Sequence, residues 1–161
     1  MVAIQSSGSR EDVRLEDPIA FLRNEQSSIL SQLWVLEHTQ RARVQVHHIV
    51  RALIRDSEVY LKREAIFLEY LDESCELGGR SFHRLIQEQD SIRELRQHVE
   101  AHVSRESSPT SSLESTLSGL EEFTTRFRDH LHHLDSVVFV LARTRLTVPQ
   151  QKQLAYQLLA T

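Results

Sequence analysis

Four long stretches of this chain place apolar residues three and four apart, over many more turns than a sheet or a loop could use. That period gathers side chains on one side of an α-helix, so each stretch has a face that must be buried against another helix. Ile19, Leu22, Ile29, Leu30 and Leu33 make the first face. Val46, Ile49, Val50, Leu53, Tyr60, Phe67, Leu68 and Leu71 make the second. Phe82, Leu85, Ile92, Leu95, Val99 and Val103 follow, and then Leu117, Leu120, Phe123, Phe127, Leu131, Leu134, Val138 and Leu141. Val and Ile form no alternating runs, and only four Gly and three Pro interrupt the chain, so no sheet is expected.

Punctuation places the helix ends. Asp17-Pro18 is a helix start, with Asp at the N-cap and Pro at the first helical position, where its missing N–H is no loss. The first helix is expected to turn near Thr39 to Arg43, and the second to run to about Asp72. Gly78-Gly79 is the clearest stop signal, since glycine readily takes the left-handed conformation that ends helices. A third helix is expected from about Ser81 to Ser104, a Ser-rich loop with Pro109 from Ser104 to Ser112, and a fourth helix from Leu113 to Thr144. Thr147-Val148-Pro149 is a second capped start, opening a short helix from Gln150 to Leu159. Four long helices with mostly short connections predict an all-α, antiparallel, up-down four-helix bundle with a short C-terminal fifth helix. Residues 1–15 read as a flexible lead-in and 16–161 as one domain, a length sufficient for a sizeable core.

Composition narrows the partners. A net charge of -4, with Lys and Arg scattered among acids, argues against nucleic acid. No apolar run approaches the roughly 18 residues needed to cross a membrane, and the N-terminus lacks the apolar core of a secretory signal. The single cysteine, Cys75, rules out an internal disulfide and suits a reducing compartment, so a cytoplasmic location is expected. Acids flank Cys75 and disfavour a thiolate, and the chain has no Gly-rich phosphate loop and no paired-cysteine metal motif.

Beyond the helix pattern, specific runs resemble the hemerythrin-like (HHE cation-binding) family. Arg84 to Leu95, RLIQEQDSIREL, looks like its third-helix pattern, in which Glu-His precedes Ile-Arg-x-Leu. Phe127 to Phe139, FRDHLHHLDSVVF, looks like the fourth-helix His-Ile-x-x-Glu-Glu-x-Val-Leu-Phe. Leu22 to Leu30 is similar to the family's Glu-His-x-x-Ile-x-x-x-Leu entry, and Leu146-Thr-Val-Pro-Gln-Gln to its short terminal helix. The resemblance covers about Asp17 to Leu159. It implies a bundle built around two iron ions.

Such a centre needs neutral imidazoles and carboxylates converging from all four helices. Carried over by position, the histidine of helix one falls on Gln26 and that of helix three on Gln89. In helix four the histidine remains as His130, while the carboxylate four residues on falls on Leu134. Asp135 is one position further and rotated by about 100°, so it is no simple substitute. Helix two admits two registers. One puts the ligand positions on Val59 and Arg63; the other puts them on Tyr60 and Glu64, which share the apolar stripe. Neither supplies a five- or six-ligand cage. Glutamine is a weak donor to iron yet can hydrogen-bond in a core. Arg63, if inward, would repel a cation, with Glu25, Glu64, Asp135 or a glutamine oxygen as its partner.

The remaining histidines, of nine in all, give less. His98 and His102 have a zinc-compatible spacing of four, but their polar flanks favour a solvated face. His130, His132 and His133 lie within one turn, where adjacent positions point in different directions, so at most two could share a site. The resulting expectation is a non-enzymatic hemerythrin-like protein that has lost its di-iron centre, holds no cofactor and serves as a binding or regulatory module. Its partner would be another protein or a small ligand, without nucleic acid or membrane, and the chain a monomer or homodimer. The alternative is a remodelled metal site of His130 and Glu64, with Tyr60 or Gln89, binding mononuclear iron or a di-iron pair for oxygen, nitric-oxide or iron sensing. A ferritin-like oxidase would need paired Glu-x-x-His ligands that the chain lacks. Helix two discriminates between these: an inward Glu64 keeps a metal conceivable, and an inward Arg63 does not.

Overall fold

The computed structural model describes residues 17–38, 43–77, 82–105 and 113–161, with the backbone alone for 43–47, 104–105 and 113–117. The lead-in at 1–15, the turn at 39–42, Gly78-Gly79 and the Ser-rich stretch at 106–112 lie outside the described residues. Those residues are all-α, and no strand occurs among them. The helices are α1 (Pro18–His38), α2 (Arg43–Ser74), α3 (His83–Arg105), α4 (Leu113–His133), α5 (Phe139–Arg145) and α6 (Val148–Leu159).

Side chains and backbone together fix the ends. Asp17 Oδ1 accepts the N–H groups of Ile19 and Ala20, each at 3.0 Å, and satisfies two donors that α1 leaves unpaired. Replacing such a cap by alanine costs about 1 kcal/mol. At the far end of α2 the closing turn falls on Glu76, ahead of Gly78-Gly79, which lie outside the described residues. Glu76 takes the left-handed conformation, with φ 51°. The N–H of Leu77 bonds to the Asp72 carbonyl at 3.1 Å and that of Glu76 to the Glu73 carbonyl at 3.3 Å. This is the Schellman arrangement, closed before Gly78 by a residue that pays a steric penalty glycine would not. Thr147 caps α6, and Gln150 Oε1 accepts from the Thr147 N–H at 2.9 Å and from its hydroxyl at 2.8 Å.

The fourth helix, expected as one α-helix from Leu113 to Thr144, is helical over that span but not α throughout. Between α4 and α5 the turn Leu134–Val138 is a π-helix, in which the Phe139 N–H bonds five residues back to Leu134. The reason is in the spacing. Leu134, Val138, Ala142 and Leu146 are all buried and stand four apart. Each step of four overshoots an α-helical turn by about 40°, so an uninterrupted helix would carry this stripe away from the core. One wide turn absorbs the drift. It also corrects Leu141, which is half-buried while Ala142 takes the inward place. Leu30, Ile49 and Leu95 are likewise half-buried flanks rather than core.

Packing follows the apolar faces. α1 packs on α2, α2 on α3 and α3 on α4, while α6 covers α1 and α2 through Leu154 and Leu158. Cross-helix pairs give the registers. Glu25 and Gln32 of α1 pair with Arg63 and Asp56 of α2. Leu61 and Glu64 of α2 pair with Arg93 and Gln89 of α3. Glu88 and Ser91 of α3 pair with His130 and Arg126 of α4. In each set the numbers fall on one helix as they rise on the other. Five fully buried aromatic rings fill the middle. Tyr60 meets Phe127 edge-on at 6.2 Å between centroids, and Phe67 meets Phe139 in the same way at 5.6 Å.

Candidate functional site: a buried hydrogen-bond network

Helix two resolves in favour of the apolar stripe. Tyr60 is 1% exposed and Glu64 0%, whereas Val59 is 37% exposed and points to solvent. The register that placed Val59 and Arg63 inward is therefore corrected. Arg63 lies on the flank of α2. It donates to Glu25 and stacks its guanidinium over Phe21 at 5.0 Å, so its charge never reaches the centre. Of the four partners considered for it from sequence, Glu25 is the one it takes. Burial pushes the Glu25 carboxyl above its ordinary value, with the Arg63 guanidinium opposing that shift.

The other positions carried over from the family pattern are all in the interior: Gln26, Gln89, His130 and Leu134. They do not form an open donor cage. Glu64 Oε1 accepts from Gln89 Nε2 at 2.6 Å and faces His130 Nε2 at 2.8 Å. Arg93 Nη2, on the surface side of α3, donates to Gln89 Oε1 at 3.4 Å and to the Leu61 carbonyl at 3.3 Å. That contact fixes which end of the Gln89 amide faces Glu64. On the other side of the ring, His130 Nδ1 faces Glu88 Oε2 at 3.3 Å, and Arg84 Nε donates to Glu88 Oε1 at 3.0 Å. Gln26 is spent elsewhere: its Nε2 donates to the Leu131 carbonyl, which has a second lone pair to offer.

The result is one connected path, Arg93–Gln89–Glu64–His130–Glu88–Arg84, that enters the core from α3 and leaves by α3. An imidazole ring flanked by two carboxylates can donate to both only when both nitrogens carry protons. Burial works against that charge on His130, but Glu64 and Glu88 outweigh it and raise the ring's pKa above 6.5. Burial also works on Glu88, where the bonds from His130 and Arg84 prevail and hold its carboxyl below 4.5. Tyr60 sits beside the path, fully buried, and burial with the nearby Glu64 charge drives its hydroxyl well above 10. The Tyr60 hydroxyl and Glu64 Oε2 are both buried without a hydrogen-bond partner.

These residues do not fit a di-iron group. A metal ligand must present a free lone pair; at Glu64 only Oε2 does, because Oε1 already faces both Gln89 and His130, and one such oxygen is far short of what two iron ions require. Leu134 offers no donor atom, and the Gln26 amide nitrogen points at backbone. No cluster of three or more His, Cys, Asp or Glu suited to a metal ion occurs among the described residues. His98, exposed, and His102, half-buried, lie 4.3 Å apart between ring centroids with their planes tilted by 45°, and His102 Nδ1 is bonded to the His98 carbonyl at 2.8 Å. His132 is exposed and His133 half-buried; Trp34 is exposed and stacks on His38. No helix among the described residues is long and apolar enough to cross a membrane.

Sequence reasoning missed Glu88. It immediately precedes Gln89, so it lies about 100° around α3 from a core position, at the rim where a long side chain can reach back. Its i,i+4 spacing from Arg84 was the available signal. Outside the His130 ring, α3 and α4 frame an open cleft of about 520 Å³, whose lining includes Glu88, Ile92, Arg126 and His133. Compared with known protein families, curated proteins and solved structures, the chain finds no match.

Proposed function

We propose that this chain is a hemerythrin-like, antiparallel up-down four-helix bundle without a di-iron centre, acting as a non-enzymatic binding or regulatory module. The falling and rising residue numbers across the α1–α2, α2–α3 and α3–α4 pairs support the arrangement. One observation carries the functional part: Glu64 Oε1 takes donors from Gln89 and His130 at once. Protons bound between side chains thus occupy the place that cations take in a ligand cage. The α3/α4 cleft is where this interior meets solvent, so a ligand or partner contacting Glu88 there is coupled to the core through His130. Elemental analysis of protein purified without added metal should find no stoichiometric iron. Iron near one or two equivalents, with the near-ultraviolet bands of an oxo-bridged pair, would end this reading.

A second reading rests on the partnerless Glu64 Oε2 and Tyr60 hydroxyl beside His130. They offer oxygen donors to a single remodelled metal ion used in sensing. It requires metal content that His130→Ala abolishes, and metal content indifferent to that substitution rejects it.

A further inference from the structure

The α3/α4 cleft holds a carboxylate of the chain's own. Glu88 lies at the focus of three basic side chains: Arg84 Nε at 3.0 Å from Oε1, His130 Nδ1 at 3.3 Å and His133 Nδ1 at 3.7 Å from Oε2. A fourth, Arg126, lines the same cleft from α4. Its bonds are an exposed i,i+4 pair with Glu122 at 2.8 Å and one to the Ser91 hydroxyl at 3.0 Å. Exposed ion pairs of this kind contribute little, so Arg126 and Arg84 can turn toward a ligand at small cost. The two longer contacts to the histidines leave room for a better-placed oxygen.

We propose that this cleft binds a small organic carboxylate, and that Glu88 is an internal stand-in that the ligand displaces from the histidine edge. In the bound form the ligand's carboxylate accepts from Arg84, Arg126 and the Nδ1 edges of His130 and His133, while Glu88 swings to solvent. Asp129, exposed on the same wall, limits the negative charge the cleft accepts. It favours a monoanion over a doubly charged phosphate. Ile92, the apolar residue of the lining, is only 1% exposed, so the walls that a ligand meets are polar and suit a small carboxylate with little hydrocarbon. The inference deepens the binding-module reading and rests on it, yet the two fail separately: iron content tests that reading, and anion binding tests this one.

The test is a titration of the full chain with sodium acetate, inorganic phosphate and, at matched ionic strength, sodium chloride, followed by the imidazole NMR signals of His130 and His133. Saturable shifts are expected with acetate. Glu88→Gln removes the competitor, and Asp129→Asn, at an exposed position outside the buried path, removes repulsion. Each should tighten acetate binding by about tenfold, the equivalent of about 1.4 kcal/mol. Arg84→Gln and Arg126→Gln should weaken it. Tighter binding of phosphate than acetate overturns the assignment to a carboxylate. Shifts reproduced by chloride, or unchanged affinity in both Glu88→Gln and Asp129→Asn, overturn the site.

Discussion

Replacing Glu64 and His130 by leucine, singly and together, measures how far the buried path holds this fold together. Both side chains are essentially inaccessible, at 0% and 1%. Removing one partner of such a pair strands the other charge, which costs about 3–5 kcal/mol. The two losses should differ. His130→Leu leaves the Glu64 carboxylate, at zero exposure, with Gln89 as its remaining donor, and belongs at the upper end. Glu64→Leu leaves an imidazole that still meets Glu88 at the half-buried rim, and belongs at the lower end or below it. In the double variant no charge is stranded. What remains is the Gln89 amide without its acceptor, a penalty of about 1–3 kcal/mol, offset in part by added apolar burial. The double variant should therefore be more stable than His130→Leu alone, with a coupling energy of several kcal/mol. Urea unfolding followed by circular dichroism at pH 6 reads all four corners of the cycle. Additive losses, or a cost below about 0.5 kcal/mol for either single change, would show that the pair is not the buried ion pair described.

Other outcomes follow from the same geometry. Because the His130 pKa is raised in the folded state, its contribution to stability should be complete below pH 6.5 and fade as pH rises through the higher folded value. Glu88 is held low, so its contribution should be present above pH 4.5 and fade as pH falls through the lower folded value; unfolding midpoints across pH check both. A His130→Leu protein that keeps the wild-type loss on the alkaline side would refute the first assignment. Glu76→Gly relieves a left-handed non-glycine residue at an exposed helix end and should stabilise by up to about 1 kcal/mol in thermal unfolding. Deleting Ser136 removes one residue from the π turn and should leave a cooperatively folded protein. Deleting the exposed Thr125 from α4 rotates the downstream core face by about 100° and should not. Equal melting behaviour of the two deletions would argue against the phase explanation of that turn.

Helix identity and most of the interior were legible in the sequence, because a spacing of three and four survives any detail of packing. Asp17-Pro18 and Thr147 act as the caps they looked like. The register of helix two was open because Val59 and Tyr60 are both acceptable core residues, and adjacent positions differ only in which neighbour they meet. Gln26 and Gln89 were identifiable as interior positions, but their partners were not. One bonds a backbone carbonyl and the other an amide-to-carboxylate acceptor 25 residues away, and neither leaves a mark in composition or period. Glu88 escaped because it belongs to the surface by position and to the interior by reach. The π turn was encoded in the repeated steps of four from Leu134 to Leu146, although a helical template reads those as ordinary matches.

That turn has a mechanical meaning for the rest of the chain. On its N-terminal side the orientation of α4 is dictated by His130, which must keep one ring edge on Glu64 and the other on Glu88. On its C-terminal side the orientation of α5 is dictated by Phe139 and Ala142, which must reach the apolar interior near Phe67. A wide turn between them works as a rotary coupling with one residue of slack. Each half satisfies its own constraint, and a small roll of α4 under a ligand in the cleft can be taken up there before it reaches α6.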